Sequence, residues 1–264
     1  MTRLDVALAR RGLARSRAHA AQLISRGSVL VDGDPEAKPA AQVDDDSELV
    51  VTEPDRWVSR AAHKLVAALD GFGIDPAGRL ALDVGASTGG FSQVLLERGA
   101  AQVLAIEVGH DQLAPRLRGE PRLQLAEGVN ARDLDAALLA QYFDITTLPS
   151  LLTADLSFIS LRHVLPAFAA SVCAGADAVV LIKPQFEVGR SGVRNGVVRD
   201  AGLRRRAFVQ VLQAASEAGF GVFGVMSSPI IGGAGNSEYL AHLRSGAEGD
   251  PTEWMHAAAT LAGA

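Results

Sequence analysis

Two charged residues stand directly behind apolar runs of the kind that form buried strands. Asp155 ends one such run, and Lys183 follows another. Charged side chains in this position lie at the carboxyl edge of an open α/β sheet, where active sites collect. Glu238 opens a later apolar segment, and Lys64 lies in the middle of a predicted helix. Amines and carboxylates gathered at one sheet edge can move a proton or stabilise a developing negative charge.

A glycine-rich segment precedes them, Leu80-Ala-Leu-Asp-Val-Gly-Ala-Ser-Thr-Gly-Gly-Phe91. An apolar run, a cluster of glycines and an amphipathic stretch follow one another, which predicts a buried strand, a tight loop and the start of a helix. Cofactors bind at this place, because glycines let a ligand approach the backbone and the first helical N–H groups receive an anion. The pattern is neither G-x-G-x-x-G nor G-K-[ST], which disfavours a dinucleotide or a nucleoside triphosphate.

The loop suits S-adenosyl-L-methionine, whose anionic group is a single carboxylate; a tight turn without a ligand is the alternative interpretation. Glu107 ends a second strand about twenty residues further on, where a carboxylate accepts the hydroxyls of a ribose. The amide of Asn130 either recognises an adenine edge or closes a turn. The predicted cofactor residues are Asp83, Gly85, Ala86, Ser87, Thr88, Gly89, Gly90, Phe91, Glu107, Asn130, Asp155 and Phe158.

Strands and helices alternate from Leu80 onward, and the last apolar segment reads as a hairpin strand. We therefore expect an α/β fold, a doubly wound Rossmann-like sheet of the methyltransferase type with an antiparallel last strand at its edge. Helices and a hairpin around Asp32-Gly33 predict a small α+β domain over residues 1–53. A linker over 54–59 and a catalytic domain over 60–264 complete the predicted organisation.

The N-terminal segment is basic in its helices and acidic in its hairpin. Such segregation is typical of a surface that meets phosphates, and an ordinary solvated arginine face is the alternative. Residues 190–206, predicted as a loop followed by a helix, form a second basic patch. The predicted RNA-binding residues are Arg3, Arg10, Arg11, Arg15, Arg17, Arg190, Arg194, Arg204, Arg205 and Arg206.

The whole composition excludes several classes of protein. The chain has 264 residues, 48% hydrophobic residues and a net charge of −5, so nucleic acid must be bound by local patches. Cys173 is the only cysteine, which excludes an internal disulfide and a cysteine-based zinc site. Asp5, Arg10 and Arg11 interrupt any secretory signal, and no apolar run approaches the ~20 residues that span a bilayer. We expect a cytoplasmic protein without a membrane partner.

Residues 1–53 resemble the α-L RNA-binding motif of a small-subunit ribosomal protein and of several pseudouridine synthases. Three stretches carry the resemblance: Arg3-Leu-Asp-Val-Ala-Leu8, Ala14-Arg-Ser-Arg-Ala-His-Ala-Ala21 and Val29-Leu-Val-Asp-Gly33. The resemblance implies binding of structured RNA by shape and phosphate contacts.

The remainder resembles the FtsJ-type ribose 2′-O-methyltransferases, and the complete chain resembles the TlyA family, which methylates cytidines of ribosomal RNA. The resemblance rests on Trp57-Val-Ser-Arg-Ala-Ala-His-Lys-Leu65, the glycine-rich segment, Ala154-Asp-Leu-Ser-Phe-Ile-Ser160, Lys183-Pro-Gln-Phe-Glu-Val-Gly189 and Gly235-Asn-Ser-Glu-Tyr239. It implies a catalytic Lys-Asp-Lys-Glu tetrad of Lys64, Asp155, Lys183 and Glu238. It also implies 16S or 23S ribosomal RNA as substrate, presented in ribosomal subunits, with no protein partner.

The chemistry explains these residue types. A ribose hydroxyl is a poor nucleophile until its proton leaves, so methyl transfer needs a base or a cation beside the developing alkoxide. Lys183 serves as the base if it is neutral, or as the cation while water takes the proton; the residues alone leave both open. Neither version needs a metal. The alternative functions are a membrane-active haemolysin and a non-catalytic RNA-binding assembly factor.

Overall fold

The computed structural model describes residues 1–25, 27–36, 38–52, 56–189, 192–232, 234–249 and 251–263. The chain divides into two compact units, Met1–Arg56 and Trp57–Ala264. The division falls inside the predicted linker, of which Pro54 and Asp55 lie outside the described residues.

The N-terminal unit packs two helices against short strands. The helices are α1 (Leu4–Arg10) and α2 (Arg17–Ser25), and the strands are β1 (Thr2–Arg3), β2 (Val29–Val31), β3 (Asp34–Pro35), β4 (Gln42–Val43) and β5 (Leu49–Val51). Strand β1 pairs antiparallel with β4, and β3, β2 and β5 form an antiparallel sheet. Leu4, Leu8, Leu23, Ile24 and Val29 are buried in its core. The predicted hairpin turn is present, with Asp32 and Gly33 both at positive φ, as a two-residue turn requires.

Helices and strands alternate in the second unit, as predicted. Its helices are α3 (Ala61–Phe72), α4 (Gly90–Glu97), α5 (Ala136–Tyr142), α6 (Leu165–Ala170), α7 (Pro184–Glu187), α8 (Ala201–Glu217) and α9 (Pro251–Gly263). Its strands are β6 (Leu80–Val84), β7 (Gln102–Glu107), β8 (Leu123–Glu127), β9 (Leu151–Ala154), β10 (Asp177–Ile182), β11 (Phe220–Ser227) and β12 (Tyr239–Ser245). Short 3-10 turns occupy Pro115–Leu117, Ala131–Asp133 and Leu161–His163.

Helices cover both faces of the sheet, because alternate residues of each buried strand point to opposite sides. Leu82 and Val84 of β6 pack into a cluster with residues of α5, α6, α8 and α9. Ala81 of the same strand packs on the other face with residues of α3 and α4. The predicted doubly wound α/β fold is confirmed.

Within the described residues the sheet has seven strands in the order β11-β12-β10-β9-β6-β7-β8. Strands β6 to β10 are parallel, and β12 runs antiparallel to both β10 and β11. The last strand is therefore antiparallel as predicted, but its predicted place at the sheet edge is wrong, because β12 inserts between β10 and β11. Tyr239 consequently pairs with Ile182, which brings the residues beside them, Glu238 and Lys183, to one edge of the sheet.

Candidate active site

The glycine-rich loop follows β6 at the carboxyl edge of the sheet. Gly85 has φ +83°, and a Cβ there would lie 2.9 Å from the carbonyl oxygen of Asp155 and 2.8 Å from Leu156 Cδ2. Gly89, the residue before α4, has φ +89° and packs against Leu113 and Leu117. Both positions favour glycine for their backbone conformation and for lack of space. The loop is thus pressed between the chain that follows β9 and the segment after β7.

Asp83 was predicted to bind the cofactor, but the structure buries its side chain completely within the sheet. The hydroxyls of Ser92 and Thr153 donate to its carboxylate at 2.6 and 3.0 Å. Burial raises the pKa of Asp83 to about 6, against the opposing effect of these hydrogen bonds. A direct contact with a ligand is therefore not supported, and the side chain instead ties β6 to α4 and β9.

Two adjoining cavities open beside the loop. One has a volume of about 530 Å³, and we call it the larger cavity because the second one is smaller. Its volume suits a cofactor of nucleoside size. Six predicted cofactor residues line it: Gly85, Ser87, Glu107, Asn130, Asp155 and Phe158. Its other walls include the apolar side chains of Ile106 and Val129, which sequence reasoning missed because they read as ordinary strand and loop residues.

Glu107 anchors the rim of the larger cavity. Its two carboxylate oxygens accept N–H groups from Ser87 at 2.8 Å and from Gly109 at 2.9 Å. Each carboxylate oxygen has a second lone pair, so the group can still accept ribose hydroxyls. Asn130 accepts an N–H bond from Arg132 at 3.1 Å, which shows that it closes a turn while also lining the cavity.

A smaller cavity of about 200 Å³ lies next to the first and shares Gly85, Ser87, Asp155 and Ser157 with it. The predicted residues Ala86, Thr88, Gly90 and Phe91 line it, together with Lys183. Gly89 lines neither cavity, because Leu113 and Leu117 occupy the space beside it. The two cavities therefore meet at Asp155, with Lys183 on the wall of the smaller one.

The four residues of the predicted tetrad come together at this edge. Lys64 Nζ lies 2.6 Å from Glu238 Oε2 and 3.9 Å from Asp155 Oδ2. Lys183 Nζ lies 2.5 Å from Asp155 Oδ1 and donates to the hydroxyl of Ser157 at 3.0 Å. Lys64, Lys183 and Glu238 are buried, and Asp155 is partly exposed. Charges of opposite sign alternate along this chain of contacts, so each ammonium is paired.

Different elements supply the tetrad. Lys64 comes from α3, Asp155 follows β9, Lys183 follows β10, and Glu238 precedes β12. A side chain at Gly232 would overlap Glu238 Oε1, so the approach to β12 needs glycine there. The arrangement places an ammonium and a carboxylate on the wall of a cavity that adjoins a larger one, which suits activation of a hydroxyl beside a bound cofactor.

The predicted RNA-binding arginines of the N-terminal unit have partners within that unit. Arg3 and Arg17 donate to the carboxylate of Asp5 at 3.0 and 3.3 Å, and these contacts lower the pKa of Asp5 to about 2. Arg10 donates to Asp45, and Arg11 donates to the carbonyl oxygens of Asp44, Asp45 and Ser47. Arg15 is exposed. Arg10 and Arg11 therefore hold the C-terminal end of α1 to the acidic segment 44–47, which connects β4 and β5.

The second basic patch is divided. Arg190 lies outside the described residues, and Arg194, Arg205 and Arg206 are exposed. Arg204 is half-buried and donates to the carbonyl oxygens of Ala262 and Arg199, so its predicted contact with RNA is not supported by its orientation.

Sequence reasoning gave no role to several polar residues that shape the site. Ser157 contacts Lys183, and Asn236 bonds to the backbone of Val198 and Gly196 at 2.9 and 2.7 Å. Both lie inside stretches that carried the family resemblance, which was the available signal. Among the described residues, no cluster of three histidine, cysteine or acidic side chains suits a metal ion. In the same part of the chain, no helix has the length and apolar character needed to span a membrane.

Comparisons with known proteins agree with this geometry. A family model described as FtsJ-like methyltransferase matches residues 57–245, and one described as S4 domain matches residues 2–49. A Mycobacterium tuberculosis protein named 16S/23S rRNA (cytidine-2'-O)-methyltransferase TlyA is 51% identical over 246 residues, 92% of this chain and 90% of the relative. A Campylobacter jejuni protein named 23S rRNA (cytidine-2'-O)-methyltransferase TlyA is 36% identical over 186 residues, 70% of this chain and 69% of the relative.

A solved structure supports the same relationship. It is described as a candidate hemolysin from Streptococcus thermophilus, is 37% identical and has a TM-score of 0.76, covering 99% of this chain and 95% of that chain.

Proposed function

This chain belongs to the FtsJ-like methyltransferase family, and we propose that it methylates the 2′-hydroxyl of a cytidine ribose in ribosomal RNA with S-adenosylmethionine as the methyl donor. One observation carries the proposal: Lys183 and Asp155 form an ion pair on the wall of the smaller cavity, where Asp155 also borders the larger one. That juxtaposition places hydroxyl chemistry next to a pocket of cofactor size.

The larger cavity fits S-adenosylmethionine in volume and in chemistry. When bound, this cofactor supplies a methyl group activated by a sulfonium. Glu107 would accept the ribose hydroxyls, and Ile106 and Val129 offer apolar surface for the adenine. Gly85 lines both cavities and carries no side chain, so the cofactor can approach the backbone of the loop closely.

Lys183 and Asp155 act on the acceptor hydroxyl. Lys183 Nζ lies 2.5 Å from Asp155 Oδ1, and we propose the version in which the lysine acts as a cation beside the developing alkoxide. Water then takes the proton of the hydroxyl. Lys64 and Glu238 hold Asp155 from its other side, because Lys64 contacts both carboxylates. Positioning of the hydroxyl by these fixed charges supplies much of the rate in an in-line displacement.

RNA recognition is assigned to the exposed basic surfaces and to Phe158. The phenyl ring of Phe158 is 92% exposed at the mouth of the larger cavity, and an exposed aromatic ring can stack on an unpaired base. Arg194, Arg205 and Arg206 of the second unit and the arginines of the S4 domain, Arg15 included, supply phosphate contacts. Binding by phosphate contacts predicts an affinity that falls steeply with salt.

We propose cytidines in 16S or 23S ribosomal RNA, or in both, as targets, because the two relatives differ in the subunits that their names give. Presentation of the target in a ribosomal subunit, in the cytoplasm, is part of this proposal. The name of the Streptococcus thermophilus structure points to membrane lysis. Lysis of a membrane requires neither the tetrad nor the two cavities beside it, so we do not favour it.

The test maps 2′-O-methyl groups on both ribosomal RNAs from cells with and without the protein, and repeats the mapping with Lys183→Ala. We expect at least one cytidine to lose its methyl group in both cases. Calorimetry with S-adenosylmethionine on both proteins shows whether Lys183→Ala still folds and binds the cofactor. A wild-type protein that binds the cofactor but changes no ribosomal nucleotide would refute the proposed substrate and favour the assembly-factor alternative.

A further inference from the structure

We propose that Glu187 is a positioning residue, which fixes the loop of residues 155–160 (the Asp155 loop) in the conformation that the reaction uses. The proposal rests on the proposed function, because Asp155 and Ser157 belong to this loop and line both cavities. Glu187 itself lines neither cavity and contacts none of the tetrad side chains in the described residues.

The carboxylate of Glu187 receives the far end of the Asp155 loop. The hydroxyl of Ser160 donates to Oε2 at 2.5 Å, and the backbone N–H of Leu161 donates to Oε1 at 2.8 Å. Both oxygens are thus engaged by consecutive residues, which fixes the direction in which the chain leaves the loop. The side chain is almost fully buried, so no solvent competes for these bonds.

The near end of the Asp155 loop is held by Lys183, which directly precedes the short helix α7. Glu187 is the last residue of α7, and Lys183 is the residue before its first. Lys183 binds Asp155 and Ser157, whereas Glu187 binds Ser160 and Leu161. The two charged side chains therefore hold the loop at its two ends.

An aromatic contact holds the middle of the loop. The ring of Phe158 lies 5.2 Å from that of Phe186 in α7, between centroids, and is tilted by 50°. Phe158 also has φ +65°, a conformation that non-glycine residues adopt only when their surroundings hold them there. The exposed ring at the mouth of the larger cavity therefore depends on the contacts that α7 makes around it.

The electrostatic setting of Glu187 indicates that geometry, rather than net charge, keeps it in place. Burial raises the pKa of Glu187, although the bonds from Ser160 and Leu161 and the charge of Arg162 oppose that change. Arg162 Nε lies 3.5 Å from Oε2, and its side chain is 38% exposed. A neutral amide of the same shape keeps one acceptor, which can receive the N–H of Leu161, but it lacks the second acceptor that the hydroxyl of Ser160 uses.

The experiment compares Glu187→Ala, Glu187→Gln and Ser160→Ala with a matched control, Asp177→Asn. Asp177 is a carboxylate at the opposite edge of the sheet, held by Arg79, Arg244 and His242, and it lines neither cavity. Each variant is measured for affinity for S-adenosylmethionine by calorimetry, for thermal midpoint, for amide hydrogen exchange in residues 155–161, and for kcat on ribosomal RNA.

We expect Glu187→Ala to lower kcat by about tenfold to a hundredfold, the range that a displacement of about 1 Å in an active site produces. Its affinity for S-adenosylmethionine should fall, and exchange in the Asp155 loop should rise while exchange in β6 and β7 does not. Glu187→Gln should retain more kcat and more loop protection than Glu187→Ala, because its amide oxygen still accepts the N–H of Leu161, although its NH2 group cannot accept the hydroxyl of Ser160. Ser160→Ala should fall between the two.

Asp177→Asn should lower the thermal midpoint without changing cofactor affinity, loop exchange or kcat. Equal loop exchange and cofactor affinity in Glu187→Ala and the wild type would overturn the proposal, as would a kcat of Glu187→Gln no higher than that of Glu187→Ala. If Glu187→Ala does not fold, Ser160→Ala and Glu187→Gln decide between these outcomes. A wild type that fails to methylate ribosomal RNA would refute the proposed function. Calorimetry and hydrogen exchange need no RNA, so they would still test the proposal for Glu187.

Discussion

The two ends of strands β10 and β12 carry two charge clusters, one at the candidate active site and one, partly buried, at the opposite edge of the sheet. At one end, Lys183 follows β10 and Glu238 precedes β12, beside Lys64 and Asp155. At the other end, Asp177 begins β10 and is bound by Arg79, by Arg244 and by His242 of β12. The strand length separates the two clusters by about 20 Å. The same pair of strands therefore offers a test of what distinguishes a reactive cluster from a structural one.

The cations differ between the two clusters. The cations at the carboxyl edge are two lysines. At the opposite edge, Arg79, Arg244 and His242 bind the Asp177 carboxylate, and Arg79 Nη1 and His242 Nε2 each lie 2.8 Å from it. Burial alone would raise the pKa of Asp177, but the hydrogen bonds from His242 and Arg79 outweigh it and hold that pKa well below its usual range. Arginine keeps its charge and forms directed forks, whereas lysine is a compact, mobile point charge.

Access differs as well. Lys183 and Asp155 line a cavity, whereas Asp177 is enclosed by its own cations and by the ends of the strands. The Lys183–Asp155 pair therefore borders space for a ligand, and the Asp177 cluster does not line either cavity. Position on the carboxyl edge is what creates that space, because the loops after parallel strands separate there.

The largest expected effect lies at the reactive end. Lys183→Ala should lower methyl transfer by about a hundredfold to ten-thousandfold, because it removes the group beside the developing alkoxide. Lys183→Arg keeps a permanent positive charge and should remain about tenfold more active than Lys183→Ala if the lysine acts as a cation. Both are measured as transfer of labelled methyl groups to ribosomal RNA in single-turnover assays.

The reverse exchange, Arg79→Lys, is the control at the structural end and should leave the rate of methyl transfer unchanged. Lys183→Arg with no more activity than Lys183→Ala would show that a neutral amine is needed, and would make Lys183 the base.

The next effect is on stability at the structural end. Asp177→Asn should lower the free energy of unfolding by about 3 kcal/mol, the low end for breaking a buried ion pair, because Arg244 is partly exposed. For a domain of this size the thermal midpoint should fall by about 6–12 °C. Calorimetric unfolding measures this change. A lower rate of methyl transfer per folded molecule would contradict the separation of the two clusters.

Asp83 provides a third case, a buried carboxylate that hydroxyls bind in place of cations. Because its pKa is raised to about 6, the folded protein binds a proton more tightly than the unfolded chain. This group therefore lowers stability as pH rises from about 4 to 6, by up to about 3 kcal/mol. Asp83→Asn should flatten that dependence, as urea unfolding across this pH range would show.

An unchanged pH dependence in Asp83→Asn would show that the carboxyl group is not the titrating one. A large loss of cofactor affinity in the same variant would restore the sequence-based prediction that Asp83 contacts the ligand.

Sequence reasoning placed Asp155 and Lys183 at one edge of the sheet from the ends of the predicted strands, and the structure brings the two side chains together there. Asp155, Lys183 and the glycine-rich loop follow apolar runs that must be buried, so their place at one edge follows from a parallel sheet. Glu187 and Asn236 gave no such signal, because their partners lie far from them in the sequence, at Ser160 and at Val198. The N-terminal arginines looked alike in sequence, but their neighbours differ, since Asp5 binds Arg3 and Arg17 while the 44–47 loop binds Arg10 and Arg11.

The sequence by itself determined the alternation of strands and helices and the glycine-rich loop, and it predicted the four tetrad residues, because periodicity, turn chemistry and family patterns are local properties. The tertiary structure alone decided which carboxylates meet which cations. It inserted β12 between β10 and β11 and so placed Glu238 beside Lys64, it buried Asp83 away from the larger cavity, and it set Glu187 against the Asp155 loop. Such pairings depend on packing between residues distant in the chain, which no local pattern encodes.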